Sequence, residues 1–200
     1  MKFPPGQFGV ILADPPWQYQ MYSEKGYEKS PDAHYSCMVL DQIKAMRDDI
    51  LFSAAPNCVC VMWTVWPMMN QALDLMESWG FQFKTGGDWN KTTKTGKQAF
   101  GTGYVLRSAT EPFIIGTIGK PRIKNHSTRN SLFTDDAPEN LNDLGVSITS
   151  QRREHSRKPD EMIVLIEELF DGPYLELFSR QKRPGWESWG NQTDKFGEAA

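Results

Sequence analysis

The chain has 200 residues, of which 39% are hydrophobic, and it carries a formal net charge of −3 at pH 7. This length fits a single domain with a sizeable core, and no apolar run approaches the roughly 18 residues that a membrane-spanning helix needs. The first residues lack the apolar stretch of a signal peptide, so we expect a cytoplasmic protein.

The cysteines and histidines predict neither a disulfide framework nor a metal site. There are three of each, and three cysteines without a metal-ligand spacing are typical of a reduced protein. Cys58 and Cys60 fall in one predicted strand, where we expect their side chains on opposite faces. We therefore expect no metal.

The first informative stretch is a short apolar run that ends in an acidic residue. Residues 8–12 are predicted to form a fully buried strand. Asp14 follows the strand, and Trp17 completes the motif Asp14-Pro15-Pro16-Trp17. Because proline lacks an N–H donor, Pro15 and Pro16 are expected to lead the chain out of the sheet. Ligands of open α/β sheets bind at the carboxyl ends of strands, so we expect a site here.

The residue types of this motif suit the exocyclic amine of a nucleobase. Such an amine is a poor nucleophile because its lone pair is delocalised into the ring. The Asp14 carboxylate and the Pro15 carbonyl can accept its two N–H groups and aim the lone pair, while Trp17 can stack on the base. A proline-rich turn with a core tryptophan is the alternative interpretation of the same residues.

The rest of the chain alternates strands and helices, which predicts a parallel sheet covered by helices. Helices are predicted over 40–51 and 69–79 and from near Pro159 to Phe170, and strands over 58–65, 81–89, 112–118, 174–178 and 186–192. Residues 18–35, 90–107 and 120–150 are predicted to be loops or irregular segments.

Two polar features of this pattern point to ligands. Glu176 lies within a predicted buried strand, where a carboxylate needs a partner such as a cofactor ribose, an amide or Arg180, unless it faces solvent. Between residues 84 and 129, nine Lys and Arg residues stand against two acidic residues. This segment is either a local footprint for phosphates or a solvated basic loop.

Taken together, the motifs resemble those of the MT-A70 family of adenine-N6 methyltransferases, over about residues 8–192. The resemblance is carried by four segments in this order: Asp14-Pro15-Pro16-Trp17, Arg157-Lys158-Pro159, Glu176-Leu177-Phe178-Ser179-Arg180 and Gly190-Asn191-Gln192. It implies that Gly101 to Arg107 form a loop close to the substrate and the cofactor. It implies an α/β, Rossmann-like sheet with helices on both faces and a permuted motif order. It also implies S-adenosyl-L-methionine as cofactor and nucleic acid as substrate.

The resemblance and the patterns above predict three sets of site residues. The catalytic set is Asp14, Pro15, Pro16 and Trp17. The cofactor-binding set is Asp14, Lys158, Glu176, Phe178, Ser179, Arg180, Asn191 and Gln192. The substrate-binding set is Tyr19, Tyr22, Lys91, Lys94, Lys97, Tyr104 and Arg107.

The prediction is a single methyltransferase domain over residues 1–200, whose basic loops at about 84–130 face the substrate. We expect methyl transfer to the N6 amine of adenine, in DNA rather than RNA, with base flipping in a duplex. RNA adenine-N6 methylation, cytosine-N4 methylation and a non-catalytic nucleic-acid-binding subunit are the alternatives.

Overall fold

The computed structural model of the protein describes residues 3–18, 37–101, 103, 105–128, 147–152 and 157–197. Within these residues, one sheet contains the strands β1 (Phe8–Ala13), β2 (Ala54–Trp63), β3 (Gln82–Thr92), β4 (Thr110–Ile118), β5 (Ser147–Gln151), β6 (Tyr174–Leu177) and β7 (Trp186–Trp189). The helices are α1 (Leu40–Lys44), α2 (Arg47–Ser53), α3 (Met69–Ser78) and α4 (Glu161–Leu169). A short 3-10 helix, Trp66–Met68, precedes α3.

The sheet is mixed, with strand order β5-β3-β4-β2-β1-β6-β7. The parallel prediction is confirmed for β2, β1, β6 and β7. It is wrong for β4, which runs antiparallel to both β2 and β3. Residues 93–109 contain no helix among their described residues, and a parallel crossover is usually made by a helix, so the chain turns back and β4 pairs antiparallel with β3.

These strand directions bring many ends to one side of the sheet, which we call the carboxyl edge. The strands β1, β2, β6 and β7 all end there, and so does β3, which runs antiparallel to β4. Because β4 is reversed, its first residues Thr110 and Glu111 also lie at this edge. β5 is parallel to β3 and also ends at this edge, so the carboxyl edge gathers residues from all seven strands that the structure describes.

Helices cover both faces of the sheet, as predicted. Side chains alternate along β1 and β2, so Ile11 and Cys60 pack into one core with α1, α2 and α3. Leu12 and Val61 pack into the other core with α4. The expectation for the two cysteines is wrong: Cys58 faces the same core as Cys60 because residues two apart in a strand share a face.

Some predicted boundaries also differ from the structure. The helix predicted over 40–51 is two helices, α1 and α2, separated at Ala45 and Met46. Strand β3 continues to Thr92, beyond its predicted end at residue 89. The segment predicted as irregular over 120–150 ends in a strand, because Ser147–Gln151 pairs in parallel with β3. No described helix is long and apolar enough to cross a bilayer.

Candidate active site

The Asp14 motif begins where β1 ends at the carboxyl edge. The Asp14 backbone N–H still donates to the Leu177 carbonyl of β6, at 3.4 Å. Pro15 and Pro16 then turn the chain away, and the Trp17 N–H donates to the Pro15 carbonyl at 2.8 Å. The Asp14 side chain remains 19% exposed, so its carboxylate is open to a ligand.

Trp17 does not present a stacking surface. The residue is 6% exposed and packs into the core, and its indole N–H donates to the Trp63 carbonyl at 3.2 Å. Stacking on a base requires an exposed ring face, so this burial does not support the predicted stacking role. This hydrogen bond instead holds the turn after Asp14 against the end of β2.

A row of ion pairs with alternating charges connects Asp14, through Lys158 and Glu111, to Lys91. Lys158 Nζ lies 2.8 Å from Asp14 Oδ1 and 2.8 Å from Glu111 Oε1. Glu111 Oε2 in turn lies 2.6 Å from Lys91 Nζ. The two ammonium groups also lie over indole rings, Lys158 over Trp63 at 5.6 Å and Lys91 over Trp89 at 5.0 Å.

This network keeps its central groups charged although they are largely buried. Burial raises the pKa of Glu111, but Lys158 and Lys91 outweigh it and bring the pKa down to about 2. Burial likewise lowers the pKa of Lys158, but Asp14 and Glu111 outweigh it and hold that pKa above its usual range. The site therefore presents fixed, alternating charges beside Asp14.

A second polar cluster lies where β6 and β7 end. Glu176 accepts from the Ser179 hydroxyl at 3.1 Å and lies 3.6 Å from Arg183 Nε. The cation beside Glu176 is thus Arg183, whereas Arg180 was one of several partners that the sequence left open. Burial is the main reason that the pKa of Glu176 rises to about 7, against the opposing influence of Arg183.

The backbone around this cluster is tightly folded. Phe178 adopts a left-handed φ of 59°, a conformation that costs a non-glycine residue on the order of 1–3 kcal/mol. A Cβ on Gly190 would lie 2.7 Å from the Ser179 carbonyl oxygen, so only glycine fits there. The Trp189 indole nitrogen is buried and finds no hydrogen-bond partner among the described residues. These features are typical of a built ligand site.

The remaining predicted cofactor residues follow β7 or precede α4. Asn191 is exposed and Gln192 half-buried, directly after Gly190. Lys158 precedes Pro159 and the start of α4, as predicted for that helix. The carboxyl edge thus brings together Asp14, Lys158, Glu176, Phe178, Ser179, Arg180, Asn191 and Gln192.

The basic segment does not form one surface. Lys91, Lys94, Lys97 and Arg107 lie at or beyond the carboxyl-edge ends of β3 and β4, whereas Lys84 and Lys120 lie at their opposite ends. An 11-residue strand spans on the order of 35 Å, which separates the two groups. Lys91 is also held by Glu111, so it is part of the site network rather than an exposed contact for phosphate.

Three predicted substrate residues, Tyr19, Tyr22 and Tyr104, lie outside the described residues. Sequence reasoning missed Glu111 and Arg183 as site residues. Glu111 counted only as an acid in a basic segment, since the direction of the strand that it begins could not be read from the sequence. Across the described part of the chain, no group of three His, Cys, Asp or Glu side chains is arranged to hold a metal ion.

Comparisons with known proteins agree with this arrangement. Human N(6)-adenine-specific methyltransferase METTL4 is 31% identical over 193 residues, which cover 94% of this chain and 38% of METTL4. Type II methyltransferase M.MunI of Mycoplasma sp is 28% identical over 204 residues, which cover 94% of this chain and 79% of M.MunI. A Medicago truncatula protein, "Putative N(6)-adenosine-methyltransferase MT-A70-like", is 29% identical over 94% of this chain and 26% of its own length.

The chain therefore spans well under half of the plant and human relatives. The sequence model of the MT-A70 family matches residues 8–192, which run from β1 through β7. The match includes the Asp14 motif, the Lys158 turn and the ends of β6 and β7. The chain belongs to the MT-A70 family.

Proposed function

We propose that the chain is an S-adenosylmethionine-dependent methyltransferase that acts on the N6 amine of adenine in DNA. The observation that carries this proposal is the position of Asp14, partly exposed at the carboxyl edge within reach of both polar clusters. The names of METTL4 and M.MunI, an N(6)-adenine-specific and a type II methyltransferase, support the reaction and the adenine target. We also expect a cytoplasmic location.

The residues at the carboxyl edge fit the proposed cofactor. Its amino-acid end carries both an ammonium and a carboxylate, and the Asp14–Lys158 ion pair offers the two opposite charges. Glu176, Asn191 and the unpartnered Trp189 indole N–H offer an acceptor and donors to ribose and adenine. When bound, the cofactor would supply a methyl group on a positively charged sulfur, which is the reactive chemistry of the step.

The protein then has to hold and aim the amine. Among the described residues Asp14 uses only Oδ1, toward Lys158, which leaves Oδ2 to accept an N–H of the amine. The Pro15 carbonyl accepts the Trp17 N–H but has a second lone pair for the other amine N–H. With both N–H groups held, the nitrogen lone pair points at the methyl group, and the released proton passes to Asp14 or water.

Replacing Asp14 tests this assignment directly. We expect Asp14→Ala and Asp14→Asn to lower the single-turnover rate of methyl transfer to DNA by about 10²–10⁴-fold, the range for a positioned acid–base group. The measurement is incorporation of labelled methyl groups, followed by nucleoside analysis that distinguishes N6-methyladenine from N4-methylcytosine. Parallel DNA and RNA oligonucleotides distinguish the two substrate classes.

Asp48→Asn is the matched control, because the Asp48 side chain is 92% exposed on α2 and should leave the rate unchanged. Thermal unfolding should show that the Asp14 variants remain folded. An Asp14→Ala rate close to that of the wild type would contradict the catalytic assignment. Methylated cytosine as the only product would contradict the adenine target.

A further inference from the structure

The β3–β4 loop, residues 93–109, carries an unusual pair of exposed apolar side chains. Val105 is 94% exposed and Leu106 is 82% exposed. Single exposed apolar residues are ordinary on protein surfaces, but two adjacent ones at a loop tip mark a contact surface. Phe100, 57% exposed, adds a third apolar side chain to the same loop.

Two backbone hydrogen bonds fix described residues at the base of this loop. The Gly101 N–H donates to the Ser108 carbonyl at 2.8 Å, which closes the base of the segment that carries Val105 and Leu106. The Ala99 N–H donates to the Lys91 carbonyl at 2.7 Å, which ties the loop back to the end of β3. Val105 and Leu106 therefore lie between two residues, Gly101 and Ser108, that are hydrogen-bonded to each other.

The charge of the loop indicates what covers this tip. Lys94, Lys97 and Arg107 are exposed, and residues 93–109 contain no Asp or Glu. The Arg107 guanidinium lies 4.6 Å from the centre of the Phe100 ring. Two such loops would repel each other in a pair of identical chains, whereas a polyanion with stacked bases satisfies both the cations and the apolar tip.

The loop also stands beside the proposed amine site. Its two ends continue into Lys91 and Glu111, which are bonded to each other and, through Lys158, to Asp14. A duplex bound at Asp14 must expel its target base from the stack, and the gap left behind is no longer filled by a stacked base. Proteins that kink or open DNA fill such gaps with apolar side chains.

We propose that Val105 and Leu106 form an apolar wedge that enters the DNA duplex and occupies the space vacated by the flipped adenine. This inference rests on the proposed function. It adds that the chain acts on paired DNA and names the residues that open the pair. The wedge stabilises the open duplex and has no part in methyl transfer itself.

The double variant Val105→Ser/Leu106→Ser separates opening from transfer. The full chain is assayed under single-turnover conditions on a duplex that the wild type methylates, and on the same target strand alone. We expect the duplex rate to fall by about tenfold or more, since unstacking costs a few kcal/mol, and the single-strand rate to change less than about twofold. Fluorescence of 2-aminopurine at the target position should rise with the wild type and not with the variant.

Two controls accompany this variant. Val105→Ile/Leu106→Met keeps the apolar tip and should retain the duplex rate. Phe52→Ser removes an apolar side chain that is 78% exposed on α2, just before β2 begins and thus opposite the carboxyl edge, and should change neither rate.

Several results would overturn the wedge. An equal fall of the methylation rate on duplex and single strand would mean that Val105 and Leu106 have a structural role. An unchanged duplex rate would mean that they take no part in opening the duplex. If the double variant keeps its duplex rate but no longer self-associates in sedimentation velocity, the tip binds a second copy of the chain. If it keeps its duplex rate but no longer binds anionic vesicles, the tip binds a membrane. A wild-type chain that methylates single strands alone would overturn the wedge but not the proposed function. A chain that methylates neither substrate would overturn both.

Discussion

Glu111 is the carboxylate on which the charges beside Asp14 depend. It holds Lys158 and Lys91 at once, and its pKa of about 2 lies below the usual 4.5. A carboxyl group whose pKa is lowered by folding stabilises the folded state while ionised. Its contribution is complete above about pH 5 and is lost as the pH falls from 4.5 toward 2.

We therefore expect Glu111→Gln to be less stable than the wild type by on the order of 3 kcal/mol near neutral pH. The pH-dependent part of this difference should shrink steadily below about pH 5. Urea unfolding of both proteins over a series of pH values measures it, with the exposed Asp48→Asn as control. A difference that stays constant down to about pH 3 would mean that the Glu111 pKa is not lowered.

Trp17 gives a second prediction at this scale, because a buried indole and a stacking indole respond differently to substitution. Trp17→Phe removes the N–H that donates to the Trp63 carbonyl. We expect the free energy of unfolding to fall by about 1–2 kcal/mol, with DNA affinity changed less than about twofold. Urea unfolding and fluorescence anisotropy measure the two effects. Weaker DNA binding with intact stability would restore the stacking role.

The sequence identifies Asp14 and Lys158 but not their connection. Asp14 is conspicuous because a carboxylate between an apolar strand and two prolines has few structural uses. Glu111 becomes part of the site only because β4 is reversed, which moves its first residues to the carboxyl edge. An apolar strand pattern reads the same in either direction, so the sequence alone could not place Glu111 beside Lys158.

At the scale of elements, the contact between the ends of β6 and β7 sets the shape of the proposed cofactor site. Gly190 lies so close to Ser179 that an added Cβ would sit 2.7 Å from its carbonyl oxygen and 2.9 Å from its nitrogen. Gly190→Ala must therefore separate the two strand ends and displace Asn191. We expect S-adenosylmethionine affinity to fall by about tenfold or more, which corresponds to ~1.4 kcal/mol.

Calorimetric titration measures this affinity, and Gly185→Ala provides the control. Gly185 has a φ of +77° but no atom within 4 Å of an added Cβ. Its substitution should lower stability by about 1–2 kcal/mol through backbone strain and leave cofactor affinity unchanged. Equal affinities for wild type and Gly190→Ala would show that the strand ends do not shape the cofactor site.

The elements with a strong apolar pattern were predictable, and those without one were not. β1 and the part of β2 from Cys58 onward are buried on both faces and read as continuous apolar runs. β5 offers a single large apolar side chain, Ile148, in an edge strand otherwise made of Ser, Thr and Gln. The break between α1 and α2 was equally invisible because Ile43, Met46 and Ile50 keep a helical spacing across it.

At the scale of the whole molecule, the split of the basic segment defines a test of the nucleic-acid surface. Lys94 and Lys97 are exposed beyond the carboxyl edge, while Lys84 and Lys120 are exposed at the opposite ends of β3 and β4. Lys94→Ala/Lys97→Ala should weaken DNA binding. It should also reduce the salt slope of log affinity by roughly 0.9 for each phosphate of duplex DNA that the variant no longer neutralises.

Lys84→Ala/Lys120→Ala makes the same change in net charge and should leave the salt slope unaltered. Fluorescence anisotropy over a range of salt concentrations compares the two variants with the wild type. Equal slopes for all three proteins would place the DNA elsewhere, with the segment around Tyr19 and Tyr22 as the next region to test. Equal reductions in both variants would indicate a general effect of net charge.

We expect the ion pairs that run from Lys91 through Glu111 and Lys158 to Asp14 to couple the binding of the two proposed ligands, DNA and cofactor. A duplex that shifts the ends of the β3–β4 loop acts on the same charges that face the cofactor. If bound DNA raises the affinity for the cofactor by some factor, bound cofactor must raise the affinity for DNA by the same factor, because linkage between binding sites is reciprocal. Order of addition can then change the path to the ternary complex but not its final occupancy.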